Sequence, residues 1–231
     1  MTETVVITGA NRGIGLAFAQ QYAEAGARVL AACRHPEQAR ELNRLAAKTR
    51  GRVSVHPLDV TNPVQIQALA GILSDTPVDI LINNAGSYGP ASAFGNTDVA
   101  GWMETLHINT VAPLKIMEAL VDPVAAGNRR LMINLSSKMG SMGDNGSGGS
   151  YIYRSTKAAL NAVVVSAARD LKARGITVVA QHPGWVRTDM GGPNGEIDTT
   201  RSVTAMRGIF EHLSLADSGR FIDIDGSDIP W

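Results

Sequence analysis

The strongest constraint on the fold is a series of short, nearly continuous apolar runs. "TVVIT" (4–8), "RVLAAC" (28–33), "RVSVHPL" (52–58), "VDILINNAG" (78–86), "RRLMINLSS" (129–137), "ITVVAQHPG" (176–184) and "RFIDIDG" (220–226) read as strands. A strand with one wet face alternates apolar and polar residues, whereas a strand covered on both faces does not. Between the runs lie segments of helical spacing: 13–26, 36–50, 63–73, 98–127 in two pieces with a bend near Pro113, 151–174 and 203–213. Doubly covered strands alternating with helices predict an α/β chain with one doubly wound parallel sheet of about seven strands and helices on both faces. The 231 residues suit a single domain, 1–231, and no repeat or boundary divides them. In such a sheet the working groups lie beyond the C-terminal ends of the strands.

The first such end reads "TGANRGIG" (8–15). Gly9, Gly13 and Gly15 permit a tight turn and remove the Cβ atoms that would hold the backbone away from a pyrophosphate. The free N–H groups of the helix start, around Asn11, Arg12, Gly13 and Ile14, can then meet its oxygens. With a strand before and a helix after, this is the context of a Rossmann-type dinucleotide site. An NAD site places a carboxylate at the end of the second strand. Here that place reads "AACRH", with Arg34 and no acid, and Arg12 could supply a second guanidinium. The fork of guanidinium donors suits phosphate, so NADP(H) is expected over NAD(H). Glu37 lies close enough in sequence to complicate that choice, and solvated surface arginines are the plain alternative.

Composition narrows the rest. Lys+Arg and Asp+Glu both number 21, which argues against a polyanion-binding surface and so against a nucleic-acid partner. Cys33 is the one cysteine, which excludes an internal disulfide and suits a reducing compartment. No secretory leader and no run of roughly twenty apolar residues is visible, so a cytoplasmic protein without a membrane partner is expected. The five histidines are scattered without ligand spacing, so no metal is expected.

The stretch "SYIYRSTKAAL" (150–160) holds two tyrosines, and only Tyr153 has a lysine, Lys157, four residues on. On a helix that spacing puts both side chains on one face. A charged ammonium favours phenolate and is expected to lower a phenol pKa that otherwise lies near 10. The pair is a weak motif alone, since a surface lysine beside a packed tyrosine has the same spacing. Its neighbourhood strengthens it. Ser136 and Ser137 end a strand at the active edge of the sheet, where a serine hydroxyl can hold a substrate oxygen beside the phenol.

"TGANRGIG", "LDVT", "NNAG", "INT", "SSKMG", "YRSTK" and "HPGWVRTDM" occur in an order that resembles the short-chain dehydrogenase/reductase family over nearly the whole chain. "CRHPEQA", "SSKMGS" and the ending "DGSDIPW" look most like its C-factor and sniffer-like carbonyl reductase branch. The resemblance implies a catalytic set of Asn109, Ser137, Tyr153 and Lys157, with Ser136 the lesser candidate and Lys157 also binding the nicotinamide ribose. It implies that Asp59 and Val60 lie beside adenine, Asn84, Ala85 and Gly86 along the ribose, and Pro183, Gly184, Val186 and Thr188 around the carboxamide.

The activity implied by the resemblance is NADPH-dependent reduction of a ketone or aldehyde, reversible as alcohol oxidation, with a small carbonyl or alcohol as partner. A homodimer or homotetramer is implied as well. Residues 189–200 are expected to form a short lid, and Met139, Met142, Tyr88, Phe94, Trp185 and Met190 could form an apolar pocket. The rival reading is a C-factor-like signalling protein that binds the dinucleotide, with catalysis secondary. A sugar-nucleotide epimerase is disfavoured by the spacing of the glycines.

Overall fold

The seven apolar runs pair in one sheet. In the computed structural model, which describes residues 2–231, the strands are β1 (Thr4–Thr8), β2 (Arg28–Cys33), β3 (Val53–Pro57), β4 (Ile80–Asn83), β5 (Leu131–Leu135), β6 (Thr177–Gln181) and β7 (Phe221–Ile222). Their order is β3-β2-β1-β4-β5-β6-β7, with every pairing parallel. Side chains alternate across the sheet, so each strand feeds two cores. Val6, Leu30, Leu81, Met132 and Val178 enter one. Val5, Ile7, Val29, Ile82, Ile133 and Val179 enter the other. This two-sided burial is why β1, β5 and β6 carry no solvent-facing position.

The helices are α1 (Gly13–Glu24), α2 (Arg40–Lys48), α3 (Pro63–Ile72), α4 (Val99–Leu106), α5 (Ala112–Ala119), α6 (Val121–Ala126), α7 (Tyr151–Asp170) and α8 (Thr199–His212). None of the helices among the described residues is long and apolar enough to cross a membrane. Several bounds differ from those the sequence suggests. The segment 36–50 is not one helix: a 3₁₀ turn at Pro36–Gln38 precedes α2, and the non-helical Ala39 lets Asn43 donate to the Pro36 carbonyl at 2.7 Å. The last strand stops at Ile222 because Asp223 starts a turn closed by its N–H donating to Ser227 O. Helix α8 begins four residues before 203, where the Asp198 carboxylate accepts the Arg201 N–H at 2.8 Å and caps it.

The interruption expected near Pro113 takes the form of a change of helical register just before that proline. A single π-helical turn, His107–Val111, separates α4 from α5. Its disturbance sits one turn before the proline. Pro113 has no N–H to give the Asn109 carbonyl four residues earlier, so the helix is already short of one bond there.

Candidate active site

The strand order reverses between β1 and β4, so the loops leaving these strands diverge and open a crevice at the sheet's C-terminal edge. Polar bonds hold its shape. Thr8 Oγ1 accepts the N–H groups of Asn84 and Ala85, both at 3.0 Å. Asn84 Nδ2 donates back to the carbonyls of Thr8 and Gly9 at 2.8 and 3.0 Å. Gly15 lies so close to this clamp that a Cβ would sit 2.4 Å from the Gly9 carbonyl oxygen. Arg12, the residue before α1, gives the helix no side-chain cap, so the first N–H groups of α1 face the crevice uncapped.

The resulting cleft holds about 850 Å³. It is lined by Gly9, Asn11, Arg12, Gly13, Ile14, Arg34, Asp59 and Val60 around the glycine loop, by Asn84, Ala85 and Gly86, and by Leu135, Ser136, Tyr153, Lys157 and Pro183, while Thr188 lies against Gly13. Gly15, Asn109, Ser137, Gly184 and Val186 do not line it, and of the two adjacent serines it is Ser136 that does. Val186 is buried and bridges to Ile197, and Gly184, at φ +80°, turns the chain there. Gly184 and Val186 shape the loop that carries Pro183 and Thr188. Asp59 accepts from the Thr61 N–H and hydroxyl, and these bonds hold its carboxyl below the usual range, with Arg34 adding to the effect.

The two tyrosines of α7 separate. Tyr151 is exposed, while Tyr153 lies on the buried stripe with Ile152, Thr156, Lys157 and Leu160. The serines separate as well. The Ser136 hydroxyl is buried and donates to Asn161 Oδ1 at 2.6 Å. Ser137 begins a 3₁₀ turn, Lys138–Gly140, and its hydroxyl accepts the Met139 N–H at 3.2 Å, leaving its proton free. Gly140 brings this turn onto α7: a Cβ there would lie 2.8 Å from the Lys157 backbone.

Lys157 Nζ donates to the Leu135 carbonyl at 2.8 Å and stands 5.8 Å from the centre of the Tyr153 ring. Asn109 is fully buried one layer behind. It accepts the Ser87 N–H at 2.9 Å and donates to Ser87 O and Thr156 Oγ1 at 2.8 and 3.0 Å, so it braces the β4 loop against α7.

Burial decides the titration of this pair, and it corrects the expected sign for the phenol. Tyr153 is pushed up to about 12 by burial, with Tyr88 adding to the rise. The Ser137 hydroxyl opposes the shift, although the two oxygens form no hydrogen bond of good geometry here. Lys157 does not lower the phenol, because its ammonium is directed at a carbonyl rather than at the phenol oxygen. Burial also lowers Lys157, to about 8.

Several lining groups have no warning in the sequence. Glu104 enters the cleft from α4 and His107 from the π-helical turn that follows it, and their separation by three residues is the only signal they leave. Asp189 pairs with Arg12 at 2.8 Å across the mouth of the cleft. No local pattern links residues so far apart in the chain. The segment 189–200 is more ordered than a simple lid, since the Arg187 N–H donates to Ile197 O, the Ile197 N–H donates to Trp185 O, and Arg187 Nη1 donates to Gly195 O at 2.8 Å.

Comparison with known proteins agrees with this geometry. A family model described as short chain dehydrogenase matches residues 3–198. The C-signal protein of Myxococcus xanthus is 41% identical over 166 residues, which span 72% of this chain and 100% of that protein. The NADPH-bound carbonyl reductase from chicken fatty liver superposes with a TM-score of 0.93 at 34% identity, covering 100% of this chain and 99% of that one. The carbonyl reductase Sniffer of D. melanogaster gives 0.92 at 32% identity, covering 100% of both chains. With its sheet order, its crevice and the family match over most of its length, the chain belongs to the short-chain dehydrogenase family.

Proposed function

We propose that the protein reduces a ketone or aldehyde with NADPH, reversibly, as a carbonyl reductase. The observation that carries this reading is a single cleft lined by Tyr153 and Lys157 as well as by Arg12 and Arg34, with the Ser137 hydroxyl acting on the phenol from just behind that lining. The cleft's volume of about 850 Å³ suits a dinucleotide, and its uncapped helix start suits the pyrophosphate. Arg34 and Arg12 are the cations for a 2′-phosphate, and the NADPH in the chicken enzyme supports that choice. Arg12 is paired with Asp189, but both side chains are exposed, so the pair is a weak competitor for a phosphate.

When bound, the reduced dinucleotide supplies a hydride to the carbonyl carbon. Tyr153, protonated across the neutral range, gives its phenolic proton to the carbonyl oxygen. The Ser137 hydroxyl donates to that same oxygen and orients it. Lys157, charged below about 8, spends one ammonium donor on the Leu135 carbonyl and has others to spare for a ribose hydroxyl. Asn109, buried in the π-helical turn behind the phenol, is the residue placed to hold a water that returns the proton. Pro183 lines the cleft on the nicotinamide side, while Thr188 and Asp189 lie against Gly13 and Arg12 of the glycine loop.

Replacing Tyr153 by Phe is expected to remove turnover of a panel of aldehydes, ketones and diketones while NADPH binding, followed by its fluorescence, stays within about twofold. Retained turnover defeats the mechanism. The relation to C-signal favours a second reading, in which dinucleotide binding serves signalling and reduction is secondary. A wild-type protein that binds NADPH yet consumes none with any member of the panel would favour it.

A further inference from the structure

The ring of Tyr88 lies on the ring of Tyr153, with centroids 4.6 Å apart and planes 22° from parallel. Tyr88 belongs to the loop after β4 and lines the cleft beside Ser87 and Gly89. Three contacts hold it there. Its hydroxyl shares a hydrogen bond of 3.0 Å with Ser150 Oγ. The neighbouring Gly89, at φ +72°, is pressed against α4, where a Cβ would lie 2.4 Å from Thr105 Oγ1. Ser92, farther along the loop, takes the Ile152 N–H on its hydroxyl at 3.1 Å and the Ser150 N–H on its carbonyl at 3.2 Å. The loop is thus stitched to the first turn of α7, close to the phenol. Ser150 itself stands at φ +47°, a left-handed conformation that a serine adopts at a cost and that these bonds hold in place.

We propose that Tyr88 is a positioning and specificity-determining residue for the reaction: it holds the Tyr153 ring in place and offers its exposed surface to flat, conjugated carbonyl compounds. The inference rests on the carbonyl reductase reading and deepens it. Tyr88 is 37% exposed although one face is taken by Tyr153, so part of the ring is presented to the cleft. An aromatic surface beside a proton donor favours aryl ketones, enones and aromatic diketones, which stack, over saturated ketones of equal size, which do not. The Ser150 anchor gives the platform a fixed tilt.

The test uses the full-length enzyme, NADPH, and a matched pair of substrates: an aryl ketone and a saturated cyclic ketone of similar volume. Tyr88→Leu is expected to cut the aryl-to-saturated ratio of kcat/KM by about five- to tenfold. It should lower kcat for both ketones and leave the NADPH dissociation constant unchanged. Tyr88→Phe keeps the platform and loses the anchor, so its ratio stays near the parent's while kcat falls for both. Tyr88→Trp restores the aryl preference even if the Leu variant folds poorly. An unchanged ratio across Leu, Phe and Trp variants that bind NADPH normally overturns the assignment. A parent enzyme inert towards every carbonyl overturns the reductase reading and this inference together, whereas an active parent with an unchanged ratio overturns only the role of Tyr88.

Discussion

Adjacent serines at the end of β5 meet opposite surroundings, and the difference separates structure from chemistry. The Ser136 hydroxyl is spent on a buried amide oxygen, and that of Ser137 keeps its proton beside the phenol. Ser136→Ala strands Asn161 Oδ1 and should cost about 1–3 kcal/mol of stability with little loss of kcat. Ser137→Ala should leave the melting temperature unchanged and lower kcat by about 10²–10³. Thermal melts and steady-state rates on the two variants check this, and a reversed pattern exchanges the roles. Burial brings Lys157 down to about 8, toward working pH. Its charge is present below about 8 and is lost above that value, so kcat/KM for reduction should fall on the alkaline side with one group near 8. The phenol, at about 12, contributes nothing to that limb. In Lys157→Arg the limb should move out of the measurable range, and an unmoved limb would assign it to another group. The sign for stability is opposite. An unfolded lysine keeps its proton to about 10.5, so between about 8 and 10.5 the unfolded state binds more protons and folding gains as pH rises.

Elements bring together what no residue could place alone. The ends of β2 and β3, parallel neighbours, set Arg34 beside Asp59, and Arg34 helps hold that carboxylate ionised. A cation here suits a 2′-phosphate and a carboxylate suits a ribose 2′-hydroxyl. Arg34→Asp should therefore raise the NADPH dissociation constant by at least about tenfold and leave that of NADH equal or lower. Titration of both nucleotides decides it, and unchanged NADPH affinity would remove Arg34 from the site. The π-helical turn between α4 and α5 works at the same scale. It carries Asn109, whose side chain ties the β4 loop to α7. A change in helical register here disturbs two other elements.

At the scale of the whole molecule, sequence and structure divide the problem along a physical line. The seven apolar runs, their alternation with helices and the glycine loop are local patterns, so the sheet, its two cores and the crevice were legible in the residues alone. The Tyr153–Lys157 pair was legible for the same reason, as one turn of helix sets its spacing. Three features were not: the upward shift of the phenol, the use of the lysine on the Leu135 carbonyl, and the stack with Tyr88. Each depends on burial or on contacts between residues distant in the chain. The sequence alone determined the fold class, the dinucleotide crevice and the identity of the candidate reacting side chains, because short-range periodicity and glycine chemistry specify them. Only the tertiary structure decided the protonation of those side chains and which aromatic ring covers them, because dielectric environment and long-range packing leave no local pattern.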